Sequence, residues 1–329
     1  MAKNKIRIKW GTYGNGTPAD YTIDPIYHFL KDNYELEFCD NPDYLICDIA
    51  SHDDLQYDCV KIISTIENVV PDFNRYDYVM GFDYISFGDR YLRIPLFASY
   101  ESYAALKKQH EFTDEEKKML LNRKFCSFVV TNAGADPLRE KFFRELSKYK
   151  QVDSGGRFLN NIGGAVKDKL AFCSNYKFNI AIENSVCPGY TTEKIMEPLT
   201  VHSIPIYYGD PLVTNDFHEG CMVRIKNEND VQRAIEEIIF LDTHDDAYLE
   251  RCLGPRLVHE WDYYQKRRED FLRNIFDQPI EKAKRTVQYG FQSHYRRKLR
   301  QFYKLDDILK WPFRKVNALR LRYEMSKLK

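Results

Sequence analysis

Two oppositely charged side chains, Glu193 and Lys194, stand at the predicted start of a helix, where a short loop ends. Residues 177–182 before the loop carry β-branched and aromatic side chains, which predicts a buried strand. Thr191 or Thr192 can cap the helix, whose free N–H groups would then form a phosphate-binding corner beside the strand. Because a lysine in the first turn opposes the helix dipole, a bound diphosphate would explain Lys194, and Glu193 could bind two sugar hydroxyls. An ordinary surface ion pair is the alternative.

A second candidate for phosphate binding is Arg139. Residues 125–131 predict a strand and residues 132–136 a turn-prone loop, after which Pro137 suits the first position of a helix. Arg139 falls in the first turn of that helix. A planar guanidinium suits phosphate oxygens, whereas a solvated surface side chain is the ordinary alternative.

The order of these motifs resembles the signature of the α-1,3/4-fucosyltransferases of glycosyltransferase family 10. That signature contains Glu-Asn, a loop, Tyr-x-Thr-Glu-Lys, a helix, and then a strand with a central proline followed by glycine. The chain supplies these residues in the same order: Glu183, Asn184, Tyr190, Thr192, Glu193, Lys194, Ile204, Pro205, Ile206 and Gly209. Further blocks similar to the bacterial members, including the Helicobacter enzymes, lie at 69–74, 81–83, 89–96, 127–129 and 137–139.

The resemblance implies an α/β fold of the GT-B type, with two Rossmann-like lobes facing a cleft. It also implies an inverting transfer from GDP-β-L-fucose in which Lys194 and Arg139 neutralise the diphosphate. Tyr190 is then expected to stack on or hydrogen-bond to the donor, and Asn184 to fix the loop or the fucose. No metal or other cofactor is expected, since the chain also lacks an Asp-x-Asp triplet.

The sequence offers two glutamates as the base that deprotonates an acceptor hydroxyl. Glu101 follows residues 93–96, near the position of a proposed catalytic glutamate in bacterial relatives, although the spacing differs. Glu67, after the predicted strand 60–64, aligns better with the catalytic glutamate of animal members. We rank Glu101 slightly ahead of Glu67. Either carboxylate could instead contact the acceptor or lie exposed on a loop.

Alternating strand and helix patterns predict parallel sheets with helices on their faces. We predict an acceptor-binding lobe at 1–120, a GDP-fucose-binding lobe at 121–280 and a basic amphipathic tail at 281–329. The charged stretch 103–122 is expected to be a helix connecting the lobes.

Charges balance over the whole chain but are unevenly placed, with fifteen basic and three acidic residues from Lys282 onward. Lys and Arg alternate there with Leu, Phe, Trp and Tyr, a composition typical of helices that lie on anionic membranes. A solvated or disordered end is the alternative; nucleic-acid binding is less favoured, and no heptad repeat supports a coiled coil. Eight scattered cysteines and an N-terminus without an apolar signal core suggest a bacterial cytoplasmic enzyme, peripheral to the inner membrane.

The expected activity is α-1,3-fucosyl transfer to the GlcNAc of N-acetyllactosamine-type glycans, as in the synthesis of Lewis antigens or lipopolysaccharide O-antigens. An α-1,4 or other linkage, or another acceptor, is the first alternative. A catalytically inactive glycan- or nucleotide-binding module and a membrane-associated scaffold are the other two. For an enzyme, deleting the residues after Gly290 is expected to leave most of the activity, whereas a scaffold would lose its function.

Overall fold

The computed structural model describes residues 3–12, 17–65, 67–99, 101–107, 111–131, 136–287 and 289–326, without the side chains of 101, 102, 107, 307 and 310–326. Its framework is two β-sheets, one in each half of the chain, and every strand pair in the described residues is parallel. Parallel sheets need helices on both faces, which explains the largely apolar strands.

The first sheet defines the first lobe and has the strand order β2-β1-β3-β4-β5-β6. Its strands are β1 (Lys5–Trp10), β2 (Glu35–Phe38), β3 (Tyr44–Cys47), β4 (Val60–Ser64), β5 (Tyr78–Gly81) and β6 (Tyr91–Arg93). The chain order changes direction between β1 and β3, which leaves a crevice at their carboxyl ends where ligands of such sheets bind.

The second sheet defines the second lobe and has the order β11-β10-β9-β7-β8. Its strands are β7 (Lys124–Phe128), β8 (Val152–Ser154), β9 (Tyr176–Ile182), β10 (Ile204–Tyr208) and β11 (Val223–Arg224). All seven residues of the central strand β9 are buried, as the run of apolar residues predicts.

The α-helices cover the two sheets and extend into the tail. They are α1 (Pro25–Asn33), α2 (Asp114–Leu121), α3 (Leu138–Leu146), α4 (Lys169–Cys173), α5 (Glu193–Thr200), α6 (Val231–Thr243), α7 (Asp245–Leu253), α8 (Tyr263–Phe276), α9 (Ile280–Ala283) and α10 (Gly290–Ser326).

The predicted helix over 103–122 is wrong in its first half. A 3-10 helix spans Glu101–Lys107, and α2 begins only at Asp114. Thr113 and Glu116 form a capping box, in which each side chain accepts from the backbone N–H of the other residue, and this pattern starts a new helix. The acidic and basic residues from Asp114 to Lys118 therefore belong to α2, a separate short helix.

The two lobes share one continuous core. Ile195 and Met196, on the buried side of α5, belong to the same cluster as Phe97 and Tyr103 of the first half of the chain. The Phe97 N–H donates to the Thr191 carbonyl at 3.1 Å. The start of α5 is consequently held against the first lobe as well as the second sheet.

Helix α8 packs on the first sheet, although the boundary predicted at residue 280 places it with the second lobe. The ring of Phe276 lies 4.6 Å from that of Tyr44, and Phe271 contacts Tyr78 edge to face at 6.0 Å. An amphipathic pattern predicts that a helix has a buried face but does not tell which sheet that face covers.

The beginning of the tail is docked on the first lobe. The Arg296 side chain, 2% exposed, donates to the Asp54 carbonyl at 3.1 Å, and the Thr286 N–H donates to Asp77. The His52 and Tyr303 rings stack with centroids 3.4 Å apart. Deleting the residues after Gly290 would remove part of these contacts. We therefore no longer expect the shortened protein to keep most of its activity.

None of the helices in the described part of the chain is both long and apolar enough to cross a membrane. All eight cysteine thiols are unpaired.

Candidate active site

The candidate site centres on four residues, Glu183, Thr192, Glu193 and Lys194, which we call the Lys194 corner. Strand β9 ends at Ile182, and α5 begins at Glu193 with Thr192 as its N-cap. The Thr192 Oγ accepts from the Lys194 N–H at 3.3 Å. The predicted N-cap at the end of the strand is therefore Thr192 rather than Thr191.

Glu183 is the buried anchor of this corner. Its carboxylate accepts from the Thr192 N–H and hydroxyl, each at 2.8 Å, and from Lys194 Nζ at 3.1 Å. Burial raises the pKa of Glu183, while Lys194 and Thr192 act in the opposite direction. A Cβ at Gly209 would lie 2.4 Å from the Glu183 side chain, so only glycine fits beside it.

The ammonium group of Lys194 lies between two carboxylates. In addition to its contact with Glu183, it lies 3.4 Å from Glu193 Oε1, and its side chain is 16% exposed. Burial disfavours the charged lysine, but Glu183 and Glu193 outweigh that cost and raise its pKa. Burial likewise opposes ionisation of Glu193, yet Lys194 and Lys169 lower its pKa overall. Glu193 and Lys194 are thus charged at neutral pH.

Arg139 lies beneath the loop rather than in the open cleft. It is 2% exposed, and its Nη2 donates to the Ile182 carbonyl at 2.7 Å and to the Asn184 Oδ1 at 3.0 Å. Burial lowers the pKa of its guanidinium. Asn184 is itself exposed, so Arg139 orients a side chain that faces solvent at the end of β9. A direct contact between Arg139 and a diphosphate stays a prediction.

Tyr190 joins the loop of the second lobe to the first lobe. Its ring packs edge to face on Phe82 at 5.3 Å. Burial, followed by the charges of Glu183, Glu67 and Glu193, raises the pKa of Tyr190 to about 12. Tyr190 therefore lies at the contact between the two lobes, with its ring on Phe82.

Of the two predicted bases, the described structure places Glu67 at the cleft. It lies exposed after β4, next to Asn68, whose Nδ2 donates to the Ser185 Oγ across the lobes at 2.7 Å. Glu101 begins the 3-10 helix Glu101–Lys107, and its side chain lies outside the described residues. The structure therefore places Glu67 beside a contact between the lobes and gives no orientation for the Glu101 side chain.

Sequence reasoning assigned Asp210 only to a turn, yet it organises the loop before α5. The buried carboxylate accepts from the Gly189 N–H and the Thr191 hydroxyl at 2.8 Å each, and from the Leu212 N–H at 2.7 Å. Burial raises its pKa. The Gly-Asp-Pro triplet after β10 was the available signal, since an aspartate there can accept from several backbone N–H groups.

Gly189 allows the close approach of the two lobes. Its φ is +87°, and a Cβ at this position would lie 2.3 Å from the Phe82 carbonyl oxygen. A second contact between the lobes is the bidentate pair of Arg93 with Asp216, at 2.7 and 3.0 Å. The Tyr264 hydroxyl donates to the same carboxylate. The sequence match had included Arg93 without giving it a role.

The described residues contain no group of three or more His, Cys, Asp or Glu side chains placed to hold a metal ion.

Two family models match the chain. The N-terminal domain model of α-(1,3)-fucosyltransferase FucT matches residues 13–100, and the C-terminal model of glycosyltransferase family 10 (fucosyltransferase) matches residues 116–254. The α-(1,3)-fucosyltransferase FucT of Helicobacter pylori is 32% identical over 274 residues, which is 72% of this chain and 57% of the relative. Human GDP-fucose protein O-fucosyltransferase 3 is 33% identical over 147 residues, 41% of this chain and 31% of that protein.

A crystal structure of an α1,3-fucosyltransferase with GDP-fucose superposes with a TM-score of 0.68 at 26% identity, covering 85% of this chain and 93% of the other. This match confirms the predicted α/β fold of GT-B type. The chain spans little more than half the length of the Helicobacter relative. Matches to both domain models and to the solved fold show that the chain belongs to the fucosyltransferases of glycosyltransferase family 10.

Proposed function

We propose that the protein transfers L-fucose from GDP-fucose to a saccharide hydroxyl with inversion at the anomeric carbon. The observation that carries this proposal is the Lys194 corner, in which a lysine and a capped helix N-terminus stand at the end of β9. The similar fold of an α1,3-fucosyltransferase crystallised with GDP-fucose supports the choice of donor.

The leaving group requires neutralisation of its charge. When the bond between the anomeric carbon and the β-phosphate oxygen breaks, GDP departs with the electron pair and gains negative charge. Lys194 and the N–H groups at the start of α5 would stabilise that charge, and such groups contribute most in a site that excludes water. Arg139 would act through Asn184, which it holds at the end of β9. This arrangement lets the reaction proceed without a divalent cation.

The nucleophile requires a base. As the acceptor oxygen bonds to the anomeric carbon from the face opposite GDP, its proton passes to a carboxylate. We assign this role to Glu67, reversing the order inferred from sequence. The observation that supports the assignment is that Glu67 is exposed beside Asn68, whose side chain bridges to the donor-side loop at Ser185.

We propose an α-1,3 linkage, because the Helicobacter relative is named an α-(1,3)-fucosyltransferase. We propose an acceptor of N-acetyllactosamine type, as the family resemblance implies. The products would be Lewis-type or O-antigen glycans. An α-1,4 linkage is the alternative within the same site. A serine or threonine hydroxyl of a protein is a second candidate acceptor, because the human relative is named as a protein O-fucosyltransferase. A binding module without turnover is less favoured, since Glu67 and Lys194 are both present.

The test is GDP release from GDP-fucose with N-acetyllactosamine and with a protein acceptor, measured for the wild type, Lys194→Ala and Glu67→Gln. NMR of the product would define its linkage. If all three proteins bind GDP but none turns over with any acceptor, the protein is a binding module instead.

We further propose that the distal part of α10 contacts an anionic membrane, which would place the enzyme at the inner face of a bacterial inner membrane. Phe302, Leu305, Ile308 and Leu309 are exposed there, at 56–69%, among basic residues. Sedimentation with vesicles that contain phosphatidylglycerol should depend on residues 305–329. Equal sedimentation of a chain ending at residue 304 would contradict this role.

A further inference from the structure

The first lobe contains a cavity of about 310 Å³ at the carboxyl ends of β1, β3, β4 and β5. Trp10, Cys47, Ser64 and Met80, at or near the last positions of those strands, all line it. The cavity, which we call the β1–β3 cavity, lies where the strand order changes direction. Parallel α/β sheets bind ligands at this position.

The walls of the cavity carry polar groups that are held in place. The Trp10 indole N–H donates to Asp24 at 3.2 Å, and Asp24 also caps α1 by accepting from the Ile26 N–H at 2.8 Å. Arg268 of α8 donates to the Ala98 carbonyl at 3.2 Å. Asp48 accepts from the Ala50 N–H at 2.8 Å through one carboxylate oxygen.

An aromatic surface continues outward from the cavity. The Trp10 ring lies 5.3 Å from Tyr21, and Tyr21 stacks on Phe38 at 5.0 Å. Phe38 is 48% exposed and Ile23 is 69% exposed. A cavity with a few fixed polar groups beside exposed rings suits pyranose sugars, which present hydroxyls at their edges and C–H groups on their faces.

The cavity adjoins the proposed reaction centre. Leu96 lines the cavity and also packs in one cluster with Phe82 and Tyr190. Ser64 lines it on another side, three residues before Glu67. Leu96 therefore borders both the cavity and the Tyr190 loop, so the cavity lies next to the proposed reaction centre.

We infer that the β1–β3 cavity binds a neutral saccharide of the acceptor, with Asp48 and Arg268 as hydroxyl partners and Trp10 as the apolar wall. This inference rests on the proposed fucosyl transfer and specifies its acceptor. Three carboxylates, those of Asp20, Asp24 and Asp48, line the cavity with one guanidinium, that of Arg268. The excess of negative charge disfavours sugars that carry a carboxylate or phosphate group.

The test compares Asp48→Asn and Trp10→Leu with the wild type, using N-acetyllactosamine and the same disaccharide carrying sialic acid. Asparagine keeps an oxygen that can accept from Ala50. We expect each variant to raise the KM for N-acetyllactosamine about tenfold. The KM for GDP-fucose, and the rate at which GDP-fucose is hydrolysed in the absence of an acceptor, should stay unchanged. Asp48→Asn should also reduce the preference for the neutral over the sialylated acceptor about tenfold.

Glu35→Gln is the matched control. Glu35 is an exposed carboxylate at the start of β2, whereas the cavity lies at the carboxyl ends of strands in the same sheet. Acceptor KM values within twofold of the wild type in both cavity variants would overturn the inference while leaving the proposed function intact. A wild type that binds GDP-fucose but neither hydrolyses nor transfers fucose would overturn the proposed function, and the inference with it. Unchanged hydrolysis in a variant shows that its donor site is folded.

Discussion

Replacing Lys194 with alanine should damage the protein in two separable ways, through its stability and through its chemistry. Lys194 Nζ is 3.1 Å from the carboxylate of Glu183, whose side chain is fully buried. Removing one partner of a buried ion pair costs about 3–5 kcal/mol, because the other charge is left uncompensated. Two facts reduce this figure here: the Lys194 side chain is 16% exposed, and Glu183 still accepts from Thr192. We therefore expect a loss of about 2–3 kcal/mol at pH 8.

The loss should depend on pH, because Glu183 can neutralise itself by binding a proton. Burial already raises its pKa in the folded wild type, and Lys194 opposes that rise. In Lys194→Ala the folded pKa must rise further, while the unfolded pKa stays at its ordinary value. An acid with a raised folded pKa binds more protons when folded, so stability falls as pH increases from the unfolded pKa through the folded pKa. At pH 5 the loss should be about 1 kcal/mol or less.

The measurement is urea unfolding of the wild type, Lys194→Ala, Glu183→Gln and the double variant at pH 5 and pH 8. The double variant should recover most of the stability lost at pH 8, since no buried charge remains. Its activity should not recover, because the diphosphate has lost its cation; we expect kcat/KM to stay at least about 100-fold below the wild type. Equal destabilisation of Lys194→Ala at both pH values would refute the ion-pair reasoning. Recovery of activity in the double variant would refute the role of Lys194 in neutralising the diphosphate.

Three further predictions follow from the geometry. Glu67→Gln should lower kcat about 100-fold or more with little change in the affinity for GDP-fucose, whereas Glu101→Gln should retain most activity. Steady-state kinetics is the measurement, and the reverse result would make Glu101 the base. Arg139→Lys should lower the unfolding temperature by several degrees and weaken GDP binding in calorimetry, because a lysine cannot reproduce its paired hydrogen bonds at 2.7 and 3.0 Å. A chain ending at residue 289 should unfold at a temperature at least about 5 °C below that of a chain ending at residue 304, since only the longer chain keeps the Arg296 contact. Coincident melting curves would show that this contact adds nothing to the thermal stability.

The residues around Lys194 were largely predictable because their structure is local. Thr192, Glu193 and Lys194 lie at a strand-loop-helix junction whose capping chemistry depends on neighbouring residues. The strands β4, β7 and β9 were predicted for a similar reason, since periodicity and β-branched residues are local signals.

The partners of the charged side chains were not predictable in this way. Glu183 was matched as part of a motif, but its contact with Lys194 depends on how the loop folds back between them. For Arg139 the sequence left open a solvated side chain or a contact with the diphosphate, and the structure buries it beneath Asn184. Burial depends on what packs above a residue, which a pattern within one helix does not specify.

The sequence by itself determined the family, the two α/β lobes and the capped helix at Lys194, because these follow from ordered motifs and short-range periodicity. Only the tertiary structure decided that α8 and the start of α10 return to the first lobe, and that Asn68, next to Glu67, contacts Ser185 of the second lobe. These contacts join segments far apart in the chain. Many pairings of amphipathic faces satisfy the same pattern, and packing of the whole core selects among them.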